Sequence, residues 1–221
     1  MKKRWLFLAL AAIFSGANSA GKGGFQGAMV VESIEDPFVP AIRIVEDFQY
    51  RDATGKLWPV ARGQVFEGKT LPTLFRDIGG PPYEGRFRMS PAVYESAVQR
   101  KADDWKEAQK MFLEASLTEG MASRDAKVLY LLLVIQGTRW EVPGSGCFGV
   151  CHMTSVPLEW RPVVDEPRTA ELVNWVRASD PAPEEIDVRG QSAIRAPGPH
   201  IFRQPACNEF SGSTRIRKSC D

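Results

Sequence analysis

Residues 123–137 constrain this chain most, because their centre, residues 128–135 (VLYLLLVI), is the longest apolar run beyond the first twenty residues. The run is far shorter than the roughly 20 apolar residues needed to span a bilayer. It therefore reads as a helix buried by the rest of the protein, with Val128, Leu129, Leu132, Leu133 and Ile135 as core candidates. Ser123, with Asp125 in the first turn, predicts its start, and Gly137 its stop. Two more helices are expected before it. Ser90-Pro91 places a capping hydroxyl ahead of a proline and predicts a helix to about Arg100. Asp104 and Glu107 form a capping-box variant, followed by Ala108, Met111, Phe112 and Ala115 on one face and Gly120 at the end.

Short apolar runs separated by turn signals come earlier. Residues 41–45 and 48–50 read as strands, residues 53–56 (ATGK) as a hairpin turn and residues 57–60 as the return strand. Residues 63–72 are too rich in Gly, Pro and polar side chains for regular structure, and such loops on a sheet edge often carry chemistry. The expected fold class is α+β, a small antiparallel sheet covered by about three helices over residues 28–140. Residues 141–221 read as an irregular extension in which only residues 167–178 look helical, with Leu172, Val173 and Val176 as the apolar face, and residues 184–188 could make one more turn.

The N-terminus has three parts: the basic Lys2-Lys3-Arg4, an apolar run from Trp5 to Phe14, and small residues from Ser15 to Ala20. That is the pattern of a secretory signal peptide over residues 1–20, with cleavage expected after Ala17, Ser19 or Ala20. The protein is accordingly expected to be exported, periplasmic or extracellular, with no stable membrane insertion after cleavage. Losing the signal takes three basic residues and no acids from 28 Lys+Arg and 27 Asp+Glu, leaving 25 against 27. A formal charge of −2 without a sustained basic face argues against a nucleic-acid partner. The patch Arg215-Ile216-Arg217-Lys218 reads as a solvated tail.

A wider frame emerges from residues 47–56 (DFQYRDATGK), 63–72 (GQVFEGKTLP), Gly80-Pro81-Pro82, Ala92-Val93-Tyr94-Glu95, Glu107-Ala108-Gln109-Lys110-Met111-Phe112 and Leu129-Tyr130, ahead of Gly137 and Trp140. In order and spacing it resembles the domain-of-unknown-function family 1353 of bacterial and phage proteins over about residues 47–140. The family pattern reads roughly G-F-x-T-D-G-A-S-x-P, A-x-x-H-D and E-A-D-x-x-F. Relative to it, Glu67 stands for the first Asp, Tyr94-Glu95 for His-Asp and Gln109 for the last Asp. An Asp, His-Asp and Asp set suits a metal or acid/base site. The resemblance thus implies a polar site between the 63–72 loop and the first two helices, with its imidazole lost here.

Two roles are open for what remains. Glu67 and Glu95 facing each other across a cleft would make an acid/base pair of the kind glycosidases use, with Tyr94 orienting substrate or donating a proton. Alternatively Glu67 binds amides of its own loop, Thr70 steadies the turn before Leu71-Pro72, and Tyr94 packs in the core. The leading expectation is an exported, envelope-facing binding or interaction protein, its partner an envelope component or another protein, with no cofactor and no metal. The alternative is an envelope or cell-wall hydrolase acting through Glu67 and Glu95.

All four cysteines lie beyond residue 146, and in an oxidising compartment they are expected to form disulfides that tie the extension down. Of the three connectivities, sequence proximity favours Cys147–Cys151 and Cys207–Cys220. A third functional class rests on Cys147, Cys151 and His152: C-x₃-C-H is one residue longer than the usual haem attachment, and zinc needs a fourth ligand such as His200. Of Trp58, Trp105, Trp140, Trp160 and Trp175, only the last two, in the extension, are candidates for an exposed carbohydrate platform, and core packing is the preferred role.

Overall fold

The computed structural model describes residues 23–34, 41–141, 159–196, 207–211 and 214–218. Six short strands come first: β1 (Gly24–Gln26), β2 (Val31–Ile34), β3 (Ala41–Ile44), β4 (Phe48–Arg51), β5 (Leu57–Val60) and β6 (Val65–Phe66). They form two three-stranded antiparallel sheets, β1-β4-β5 and β2-β3-β6, where a single sheet was expected. The β4–β5 hairpin pairs Tyr50 with Trp58 and Phe48 with Val60, and all four side chains are buried. That is the two-residue alternation of a strand with one face on the core. β6 lies inside the segment expected to be irregular. Its two residues are recruited by pairing to β3, and Phe66 is fully buried.

Helices α1 (Phe75–Gly79), α2 (Met89–Arg100), α3 (Trp105–Thr118) and α4 (Ser123–Gln136) follow. α4 is the centre: every residue from Val128 to Ile135 is buried, and α3 and α5 (Glu166–Ser179) and α6 (Pro183–Gly190) pack around it. Each fully buried Leu, Val or Ile contributes roughly 1.5–3 kcal/mol against exposure, so α4 is the main apolar store of the fold. α2 packs on α3 and β5, joining the helical layer to the hairpin.

The helix starts differ from expectation in an informative way. Asp104 does cap α3, accepting from Lys106 N at 2.7 Å. Ser90 does not cap α2. The Glu119 carboxylate, from just beyond α3, accepts from Met89 N, Ser90 N and Ser90 Oγ at 2.8, 2.9 and 2.6 Å. A charged side chain from the next helix thus supplies the cap that the local sequence was expected to provide. Ser123 is likewise the first residue inside α4, and its hydroxyl pairs with Asp180.

Residues beyond 141 are more regular than expected. Strands β7 (Arg139–Trp140) and β8 (Glu159–Trp160) pair, as do β9 (Val163–Val164) and β10 (Ile194–Ala196), with α5 and α6 between β9 and β10. Leu172, Val173, Val176, Ile186 and Ala193 join the same buried core as α4. A hairpin of β11 (Cys207–Ser211) and β12 (Thr214–Lys218) ends the described chain. The signal segment, Cys147, Cys151, Cys220, His152 and His200 lie outside the described residues.

Candidate functional site

Loop 67–72, the Pro82-Tyr83 corner and α2 meet at Glu95. This carboxylate is 3% exposed. Its Oε1 accepts from Thr70 Oγ1 at 2.9 Å, and its Oε2 accepts from Gly68 N at 3.3 Å and from the Tyr83 hydroxyl. Three donors on a buried carboxylate offset the cost of its desolvation. Two backbone requirements make the arrangement possible. Gly68 sits at φ +73°, in the left-handed region that favours glycine. Tyr83, at φ 65°, is a bulky residue held in the same region. Such a conformation costs of order 1–3 kcal/mol and persists where neighbours over-determine it. Here the ring stands 5.9 Å from Phe66 and the hydroxyl is held by Glu95. Burial first, and then the Glu95 carboxylate, push the Tyr83 hydroxyl far above its usual pKa, so it stays a donor.

Glu67 is placed differently. Its side chain is 41% exposed and paired with Lys69. It remains within electrostatic reach of the Tyr83 hydroxyl, which hydrogen-bonds Glu95 and the Gly68 backbone. Tyr94, on the same helix as Glu95, is fully buried with its ring edge against Phe112 at 5.5 Å. Among the described residues its hydroxyl has no hydrogen-bond partner. Burial raises its pKa, opposed by the Arg161 charge and assisted by Glu95 and Glu159. Gln109 is buried in α3 and donates to Leu133 O at 2.9 Å, close to the end of α4. The four family positions therefore surround one corner of the fold in separate roles: a loop clamp, a surface ion pair, a buried ring and a helix-end cap.

A cleft of about 190 Å³ opens beside this corner, lined by the loop from Thr70 to Thr73, by Leu133, Gln136 and Gly137 at the end of α4, and by Arg161, Pro162 and Val164. None of Glu67, Tyr94, Glu95 and Gln109 lines it. Arg161 stitches its two walls, donating from Nη2 to Lys69 O at 2.7 Å and from Nε to Thr138 Oγ1 at 3.2 Å. Tyr83 and Arg161 were not singled out from the sequence. The Gly80-Pro81-Pro82 run pointed to the first, while nothing local marks the second. Among the described residues no group of three or more His, Cys, Asp or Glu side chains is placed to hold a metal ion. Trp58 and Trp140 are core residues, and the half-buried Trp175 ring is covered by Arg189 at 4.4 Å.

Fold and corner together define a small α+β scaffold whose Gly-rich loop is locked to a buried helix carboxylate. Residues 42–133 match the family described as Protein of unknown function (DUF1353), so the resemblance carried by residues 47–140 holds over most of that stretch. Two relatives come from Sinorhizobium fredii (strain NBRC 101917 / NGR234). Uncharacterized protein y4iH is 28% identical over 103 residues, 46% of this chain and 43% of that protein. Uncharacterized protein y4jT is 26% identical over 134 residues, 61% of this chain and 38% of that protein. The chain thus aligns with less than half the length of each of these relatives. No solved structure gives a significant match.

Proposed function

We propose that this is an exported, envelope-facing binding or interaction protein on a DUF1353-like scaffold, working by binding rather than turnover. The observation that supports it is the state of Glu95: both carboxylate oxygens accept hydrogen bonds from the loop and from Tyr83. A general base must have its oxygen within reach of a substrate proton, and Glu95 faces protein donors instead. Glu67 pairs with Lys69 at the surface, an arrangement suited to shaping a loop. Export is supported by the three-part N-terminus. Among the described residues no helix is long and apolar enough to cross a membrane.

Disulfides tying down the C-terminal region belong to the same proposal. The β11–β12 ladder sets Cys207 opposite Lys218, two residues before Cys220, which favours a Cys207–Cys220 bond across the open end of that hairpin. Mass spectrometry of unreduced protein, before and after alkylation, checks this: no cysteine should take up the reagent until reduced.

The functional test uses purified protein with sedimented envelope material. The protein should co-sediment and release no soluble fragments. Fragment release by wild type that is lost in both Glu67→Gln and Glu95→Gln, with unfolding unchanged, would establish the hydrolase instead.

A further inference from the structure

We infer that the cleft between residues 70–73 and 161–164 is a binding site for a small carboxylate, anchored by Arg161; this deepens the binding function proposed above and rests on it. Arg161 is the one charged side chain among the cleft-lining residues. Glu159, the acid nearest it in sequence, pairs with Lys101 at 2.6 Å. A guanidinium carries five N–H donors, and two are engaged, one on Thr138 and one on Lys69. Three remain without a protein partner among the described residues, and the cleft keeps a net positive charge. The two engaged bonds also hold the guanidinium in place, which lowers the ordering cost of a ligand contact.

The rest of the lining narrows the ligand class. Thr73 and Gln136 supply neutral polar groups, while Leu71, Leu133 and Val164 make an apolar wall. One cation against a half-apolar surface suits a monoanion with a short apolar body. A dianionic phosphate would call for further cations or a row of backbone donors. A volume near 190 Å³ is below the roughly 300–1,000 Å³ typical of sites for drug-sized ligands, so the bound part is a small acid or the carboxylate end of a larger molecule. The cleft draws its walls from the 63–72 loop, from α4 and from the region beyond residue 141. It is therefore complete only when the C-terminal region is packed in place.

The test is a titration of the ¹⁵N-labelled full-length chain with acetate, propionate and butyrate, with acetamide as neutral control and inorganic phosphate as competing anion. Saturable shifts are expected at the amides of Thr70, Leu71, Thr73 and Gly137 with the carboxylates and not with acetamide. Arg161→Gln should weaken binding at least tenfold. Thr73→Trp, on the exposed rim, should block it while leaving Arg161 and its two bonds intact. The inference is overturned by absence of saturable shifts at these amides, by an equal response to acetamide, by tighter binding of phosphate, or by undiminished binding in either variant. If the carboxylates fail while the protein still co-sediments with envelope material, this site falls and the binding function stands. Failure of both removes both.

Discussion

The β4–β5 hairpin and the corner around α2 each hold a buried acid with several donors, but differ in the polar groups left over around it. At the hairpin Asp52 and Glu114 are each held by two or more donors. Asp52 is 9% exposed, and it accepts from Thr54 N, Thr54 Oγ1, Lys56 N and the Trp58 indole at 3.0, 2.6, 2.9 and 2.9 Å. Glu114 accepts from Tyr50 Oη and Ala53 N at 3.0 and 2.7 Å, tying the turn to α3. Lys56 bridges Asp103 and Glu107 and lies over the Trp58 ring at 4.2 Å. At the corner, by contrast, polar capacity is left over. Among the described residues the buried Tyr94 hydroxyl has no partner, Tyr83 is held at positive φ, and three Arg161 N–H groups have no protein partner. Saturated networks stabilise a fold, whereas strain and spare hydrogen-bonding groups collect where a molecule meets its ligands. On the proposed binding function, the hairpin is the anchor and the corner is the working end.

The contrast can be broken by substitution, and the largest effect is expected at the hairpin. Asp52→Ala should cost about 3 kcal/mol at neutral pH, because charged hydrogen bonds are lost and the Trp58 indole is left buried and unpaired. Burial alone would raise the Asp52 pKa, but the donors from Thr54, Trp58 and Lys56 outweigh it and hold the carboxyl below its usual value. A depressed folded-state pKa means the stabilisation is complete above the unfolded value near 4 and is lost as pH falls through the lower folded one. Denaturant unfolding should therefore show the gap between wild type and Asp52→Ala shrinking in acid. A gap independent of pH would mean that packing, rather than the carboxylate, carries the effect.

Glu95→Gln comes next, at about 1–3 kcal/mol, since an amide turns an NH₂ toward donors that a carboxylate had accepted. Thermal unfolding measures it. A variant as stable as wild type would show that the clamp contributes nothing. Tyr94→Phe should be neutral or stabilising by about 1 kcal/mol, because it deletes a buried hydroxyl that has no partner among the described residues. A loss of more than that in chemical denaturation would reveal a partner for the hydroxyl in solution. Glu67→Gln removes only an exposed ion pair and should stay within about 0.5 kcal/mol by the same assay.

How much of this was legible in the sequence follows the range of the forces involved. The α4 run, the hairpin turn and the Asp104 cap depend on neighbours within a few positions and were all readable. The α2 start was misplaced because its cap, Glu119, lies 29 residues from Ser90. β6 was missed because a two-residue strand exists only through its pairing with β3. α5 follows the helix expected over residues 167–178, whereas α6 runs longer than the single turn expected because Ile186 packs into the core beside α4. At the corner the sequence identified Glu95 and the loop it holds. Tyr83 depends on a backbone angle and Arg161 on a partner 92 residues away, and neither leaves a local pattern.

Amide hydrogen exchange on wild type and Glu95→Gln tests the loop clamp most directly, because Gly68 N is itself one of the Glu95 donors. Exchange at Gly68 and Thr70 should accelerate by roughly tenfold or more in the variant, the equivalent of about 1.4 kcal/mol of local protection. The hairpin amides of Thr54 and Lys56 should change only as far as global stability does. Unchanged exchange at Gly68 and Thr70 in Glu95→Gln would contradict the account and return Glu95 to the pool of residues free to act on a substrate.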